Sequence, residues 1–306
     1  MSDARVAIAS VASKPHLARA RVLAQSLRSH HPELSFTLLL VDEPEGRFDP
    51  TAEPFEIVRL EEIAHRDLIA QLRGLPDVGS CSMSMKAALL EHLLARGHRA
   101  AVHLDTDMLL TARIDPLLAA LDDAAVVLTP HVLAPPCGPG AALWRWALRI
   151  GGVVNSGVVG VRGDARGTAF LRWWGDRVAR SCAKDPANGV FYDQRWLDLS
   201  PALLDGVTML RDPGTNVAVW NIAERPLSRR DGVLNAGAQP CRLVHFAGYD
   251  PSRPRIVCTY VPDFTVDVAG ELGVLAGEYH AALLAAGWAQ TSQWPWAYAG
   301  QVGAGG

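Results

Sequence analysis

Residues 101–110, Ala101-Val102-His103-Leu104-Asp105-Thr106-Asp107-Met108-Leu109-Leu110, constrain the fold more than any other stretch. An apolar run carries a strand up to two carboxylates separated by a threonine, and a second apolar run leads the chain away. Residues two apart on an extended or sharply turned backbone point to the same side, so Asp105 and Asp107 can face one point. Two uncompensated carboxylates at a buried strand end are costly unless a cation lies between them. Oxygen ligands suit a hard divalent ion, Mg²⁺ or Mn²⁺, with positions left open for phosphate oxygens. The competing reading is a solvated turn in which Asp107 caps the following helix.

The N-terminal region has the pattern of a parallel sheet. Residues 5–11 read as a strand, and Ser13-Lys14-Pro15 opens a helix with Leu17, Ala20, Leu23, Ala24 and Leu27 on one face. His30-His31-Pro32 ends that helix, and residues 35–41 form a second strand that stops at Asp42. Strand, helix, strand with short connections is the βαβ unit. Ligands gather beyond the carboxyl ends of such strands, where Ser10, Asp42 and Asp105 would lie. Further strands are expected at 53–60, 124–129, 153–161 and 241–246, and helices at 61–72, 84–96, 114–122, 168–181 and 266–286. Another helix begins in Phe191-Tyr192-Asp193-Gln194-Arg195-Trp196. Loops are expected at 74–82 and 131–140, a rigid turn and strand at 212–221, and a flexible tail at 299–306.

With 306 residues, 49% of them hydrophobic, the chain can bury the core of one large α/β domain, and no long linker forces two. A net charge of −3 with interspersed signs offers no basic stripe for nucleic acid and no polybasic membrane tail. Cys81, Cys137, Cys182, Cys241 and Cys258 are odd in number and widely spaced, which argues for reduced thiols in a cytoplasmic protein. No signal peptide is expected from the N-terminus, and no apolar run is long enough for a transmembrane segment.

Several polar groups stand where packing alone would not put them. Asn155-Ser156-Gly157 interrupts an apolar strand and needs hydrogen-bond partners, supplied by a hydroxyl-rich ligand or by the backbone of a bulge. Lys86 falls in the first turn of its helix, where the dipole disfavours a cation; an anion there, or simple exposure to solvent, would remove the objection. Asp193 stands at an N-cap or first-turn position. His245 ends an apolar strand much as Asp105 does, although a lone histidine is more often structural. Trp144 and Trp146 follow the 131–140 loop and either face a substrate or pack.

Taken in order, these motifs resemble the family 8 glycosyltransferases and related bacterial sugar transferases of the GT-A fold. Asp105-Thr106-Asp107 matches the family's Asp-x-Asp, Asn155-Ser156-Gly157 its Asn-Ala/Ser-Gly, Asp193-Gln194 its Asp-Gln, and His245 with Gly248 its late His-x-x-Gly. The resemblance implies a Rossmann-like mixed, mainly parallel sheet flanked by helices, as a single domain over 1–298. Residues 1–130 would then form mainly the nucleotide-binding half and 131–265 mainly the acceptor and catalytic half.

It also implies transfer of a sugar from a nucleoside-diphosphate-sugar donor, often UDP-linked, to an acceptor hydroxyl or other nucleophile, with the anomeric configuration retained. Asp105, Asp107 and His245 would ligate Mn²⁺ or Mg²⁺. Asp193, Gln194 and Asn155 would serve the reacting face of the sugar, and Ser10, Lys86, Asp105, Thr106, Ser156 and Gly248 would bind the donor. The family often follows its late glycine with a Lys-Pro that contacts phosphate. Here Pro251 breaks the pattern, so Arg253 or Arg255 is expected to supply the contact. The alternatives are a nucleotidyltransferase that forms the activated sugar, for which 8–14 is a poor phosphate loop, and a non-catalytic sugar-nucleotide-binding protein.

Overall fold

In the computed structural model, residues 6–63, 77–134 and 141–299 are described. Most of the expected helix 61–72, the start of the 74–82 loop, the end of the 131–140 loop with Cys137, and the tail after Ala299 lie outside them.

The N-terminal βαβ unit forms as the sequence predicts: β1 (Val6–Ala12), α1 (Leu17–His30) and β2 (Ser35–Leu40), then β3 (Glu56–Arg59). All seven β1 residues are buried, as strands covered on both faces must be. Two helices follow, α2 (Val78–Ser84) and α3 (Lys86–Ala95), which lead into β4 (Ala100–Leu104) and the short β5 (Met108–Leu110). The loop expected to reach residue 82 is therefore cut short. Asp77 caps α2 by accepting from the Ser80 amide at 2.8 Å, so its serines serve a helix start.

Next come α4 (Asp115–Asp123), β6 (Val126–Pro130), α5 (Ala141–Gly151), β7 (Val154–Arg162), α6 (Ala165–Arg180), β8 (Val207–Met209), β9 (Leu243–His245) and α7 (Glu271–Ala285). Helix α5, with both tryptophans on it, was not anticipated.

Seven strands form one sheet in the order β8-β6-β7-β4-β1-β2-β3. Only β7 runs against its neighbours β4 and β6; the other pairings are parallel. Alternate β1 residues enter opposite cores: Ala7 and Ala9 pack with Leu89, Leu93 and Trp174 of α3 and α6, and Val6 and Ile8 with Leu23 and Leu27 of α1. The chain leaves β1 towards β2 on one side and returns through β4 on the other. The gap beyond their carboxyl ends is the switch point where such sheets hold ligands.

Two departures place the site. The expected strand 241–246 shrinks to β9 and lies outside the main sheet, paired antiparallel with β5 so that His245 stands opposite Met108. The 212–221 segment is turns joined to β9 by one parallel bridge, Val217 to Val244, rather than a strand. Cys81, Cys182, Cys241 and Cys258 are free thiols. Among the described residues no helix is long and apolar enough to cross a membrane.

Candidate functional site

The three expected metal ligands converge. After β4 the backbone turns tightly, the Met108 amide donating to the Asp105 carbonyl at 3.2 Å, and enters β5. Because β5 pairs with β9, Asp107 lies beside His245: the Phe246 amide donates to the Asp107 carbonyl at 2.8 Å. One ligand atom from each of Asp105, Asp107 and His245 lies within 4.8 Å of the other two. His245 Nε2 is 3.1 Å from Asp107 Oδ1 and 3.9 Å from Asp105 Oδ2. Gly157 is needed here, since a Cβ on it would come within 2.7 Å of the His245 ring.

The hydrogen bonds behind His245 fix which nitrogen faces the carboxylates. The Gly157 amide donates to Asn155 Oδ1 at 3.1 Å, so that oxygen is an acceptor. Asn216 Nδ2 donates to the same oxygen at 3.1 Å, which turns Asn216 Oδ1 towards His245 Nδ1–H, also at 3.1 Å. With Nδ1–H committed to Asn216, Nε2 is the nitrogen that faces the two carboxylates, and three such acceptor atoms repel one another unless a proton or a metal cation lies between them. Two carboxylates plus an imidazole whose other nitrogen is held by an acceptor are a donor set that fits a hard divalent ion.

Charge around the pair is arranged by Lys86, which is buried, contrary to the solvent-facing alternative. Its Nζ lies 3.0 Å from Asp105 Oδ1 and 3.3 Å from Asp193 Oδ2, and it donates to the Ser156 carbonyl and hydroxyl at 3.2 Å each. His103 Nε2 also donates to Asp105 Oδ1, at 2.9 Å, leaving Oδ2 to face His245. Burial disfavours the charge on Asp105, but Lys86 first and then His103 hold its carboxyl well below the usual range. Asp107 is treated alike: burial opposes ionisation, and His245 and Arg19 outweigh it. For Asp193 burial wins and pushes the carboxyl up to about 6, against the pull of Lys86.

Two cavities meet at these carboxylates. One, of about 190 Å³, lies at the switch point; Val11 and Ala12 of β1, His16, Arg19, the 78–83 helix and Asp105-Thr106-Asp107 line it. The other, of about 170 Å³, is bounded by Asn155, Ser156, Asp193, Gln194, His245 and Gly248, with aromatic walls that include Trp146, Tyr192, Trp220 and Tyr260. Trp146 stacks on Tyr260 at 4.7 Å between ring centroids. Gly248, at φ +75, leaves room for the Tyr260 ring, which a Cβ would approach to 2.7 Å.

The Asn155-Ser156-Gly157 strand is both bulged and bonded by side chains. Its pairing with β6 shifts register between Leu128 and Thr129. Gln194 Oε1 accepts from the Ser156 amide at 2.9 Å, and Gln194 Nε2 donates to the Gly151 carbonyl at 2.9 Å. Asn155 Nδ2 donates to His131 Nε2 at 3.3 Å, while His131 Nδ1–H is held by the Gly152 carbonyl at 2.7 Å. The hydroxyl-rich partner that the sequence invoked is thus replaced by protein groups. Asp193 does not cap the short helix Gln194–Leu197; its carboxylate turns to Lys86 and accepts from Ser156 Oγ at 3.2 Å. Tyr192 just before it has φ +49, a costly backbone setting for an aromatic residue and a local sign of a constrained site.

Three expected donor contacts are not brought together with the rest. Ser10 is fully buried within the sheet and donates to the Leu104 carbonyl at 2.6 Å. Arg253 and Arg255 are exposed, pair with Asp250 and Asp267, and line neither cavity. Sequence reasoning missed Arg19, His103, His131 and Asn216. Asn216 left a local trace in the sequence, since it sits in the polar 212–221 cluster.

No family model matches the chain. It is similar to the uncharacterized protein YfnF of Bacillus subtilis (strain 168), 27% identical over 248 residues that span 79% of this chain and 81% of that protein. It is also similar to YfnD of the same organism, 23% identical over 246 residues, 78% and 76% of the two chains. Among solved structures, an active-site mutant of LgtC aligns over 89% of this chain and 95% of its own, with a TM-score of 0.50 and 17% identity. The galactosyltransferase LgtC bound to donor and acceptor sugar analogs gives a TM-score of 0.49 at 16% identity, with the same 89% and 95% coverage. The likeness to the LgtC mutant, together with the mostly parallel seven-stranded sheet, identifies the fold as GT-A.

Proposed function

We propose that this chain is a cytoplasmic, metal-dependent glycosyltransferase, which moves a sugar from a nucleoside-diphosphate-sugar, UDP-linked by preference, to an acceptor nucleophile with retention. One observation carries the reading: Asp105, Asp107 and His245 converge at the sheet's switch point, between two cavities, with His245 Nε2 aimed at the carboxylates. Those three residues would hold Mn²⁺ or Mg²⁺. When bound, the ion supplies positive charge where the departing diphosphate gains negative charge.

The remaining roles belong to the chain. The nucleotide occupies the β1 cavity, whose lining among the described residues comes from 11–107, and the sugar enters the aromatic cavity beside Asp193. Nucleotide binding thus falls to the 1–130 half, with the 131–265 half holding sugar and acceptor. Asp193 accepts from a sugar hydroxyl. Gln194 and Asn155, their amides already bonded to protein groups, shape the floor and hold Ser156 and Asn216 in place.

The test is a donor screen for Mn²⁺-dependent release of nucleoside diphosphate, repeated with Asp107→Ala. UDP-sugars are expected to give the signal, and the substitution to reduce it at least about a hundredfold with the fold retained by circular dichroism. Equal turnover in excess chelator overturns the proposal.

A further inference from the structure

The β1 cavity is lined by two carboxylates, Asp105 and Asp107, and Arg19 is the one lysine or arginine among the described residues that line it. Lys86 cannot serve there, because its ammonium is buried among Asp105, Asp193 and Ser156. His16 is also in the lining, but burial and then Arg19 lower it to about 4, so it is neutral near pH 7.

Arg19 is held for a task that its own contacts do not fulfil. Its Nη2 donates to the Tyr249 carbonyl at 2.7 Å, which ties α1 to the segment after Gly248. Its Nη1 stands 3.6 Å from Asp107 Oδ2, too far for a hydrogen bond but close enough to attract charge. A guanidinium has five N–H donors in a planar fork, and among the described residues this one makes a single hydrogen bond. Nη1 is thereby left beside Asp107, one of the proposed metal ligands.

We propose that Arg19 grips the donor's diphosphate from α1, in place of the cation that the sequence led one to seek at Arg253 or Arg255. The inference rests on the nucleotide-sugar reading above. Two carboxylates and one guanidinium leave the cavity negative, and a bound dication reverses that sign. The diphosphate then has a guanidinium fork on one side, suited to two phosphate oxygens at once.

The alternative role, steadying Asp107 as a ligand, predicts a different pattern. A steadying residue, once removed, weakens Mn²⁺ and nucleotide together. A phosphate-gripping cation, once removed, weakens nucleotide alone and leaves Mn²⁺ binding equal or tighter, because a competitor for Asp107 has gone.

The experiment measures two affinities by calorimetry for the full chain: Mn²⁺ alone, and UDP, CDP, GDP and ADP in the presence of Mn²⁺. It uses the wild type, Arg19→Met, Arg19→Lys, Arg253→Ala and Arg255→Ala, with thermal melts to confirm folding. Arg19→Met should weaken the tightest-bound diphosphate by roughly tenfold to a hundredfold with no loss of Mn²⁺ affinity. Arg19→Lys, which keeps the charge but not the fork, should fall in between and carries the comparison if the Met variant does not fold. Arg253→Ala and Arg255→Ala should match the wild type. Unchanged diphosphate binding in the Arg19 variants, or a parallel loss of Mn²⁺, overturns the role of Arg19 while leaving the site reading intact. A wild type that binds none of the four diphosphates with Mn²⁺ overturns the site reading, and the role of Arg19 with it.

Discussion

The two cavities that share Asp105 and Asp107 differ in what their polar groups have left to offer. The β1 cavity is lined by both carboxylates, and among the described residues Arg19 makes a single hydrogen bond. In the aromatic cavity Asn155, Gln194, His131 and Ser156 are bonded to one another and to the backbone. Unmatched charge is tolerated where a ligand of opposite charge will complete it, whereas a saturated amide network sets shape. The carboxylates follow the same division. Lys86 and His245 hold Asp105 and Asp107 ionised, and burial drives Asp193 towards its neutral form.

Lys86 joins the two regions, so its removal is the most severe way to break the contrast. Lys86→Met leaves Asp105 and Asp193 without their shared cation and should cost about 3–5 kcal/mol in denaturant unfolding. A loss below about 1 kcal/mol would mean that the ion cluster does not organise the site.

The difference between the carboxylates can be read from pH. Asp193 titrates near 6 in the folded chain against an ordinary value of 3.8, so the folded state binds its proton more tightly between those limits. The stability this gives the wild type relative to Asp193→Asn is fully present below pH 3.8 and is lost as pH rises through about 6. The total is about 3 kcal/mol. Parallel stability curves for the two proteins over that range would show that burial does not raise the Asp193 carboxyl.

A subtler change probes the contact between the Asn155-Ser156-Gly157 strand and the proposed metal ligands. Gly157→Ala pushes a methyl into the His245 and Met108 side chains. It should cost about 1–3 kcal/mol and displace His245 enough to weaken Mn²⁺ binding, as calorimetry would show. Ser10→Ala should have the smallest effect. It removes a buried hydrogen bond worth about 1 kcal/mol, and nucleotide binding should not change.

Much of the scaffold was legible because local patterns suffice for it. The apolar face of α1 and the buried run of β1 are periodic signals, and both reached the core as read. Helix α5 was missed because the Pro- and Gly-rich stretch before it biased the reading towards loop. Helix α2 was missed because serines near a start resemble those of a loop until Asp77 is seen to cap it.

The sequence by itself determined the paired carboxylates Asp105 and Asp107 and the N-terminal βαβ unit, because each depends on residue type at close spacing. Only the tertiary structure decided that His245 reaches Asp107, since that follows from the register of β5 with β9, pairing strands more than 130 residues apart. It also decided that Lys86 is buried, that Ser10 belongs to the sheet, and that the cation in the β1 cavity is Arg19. A helix brings its side chains to a cleft by packing angle and reach, and neither is written in the residues next to them.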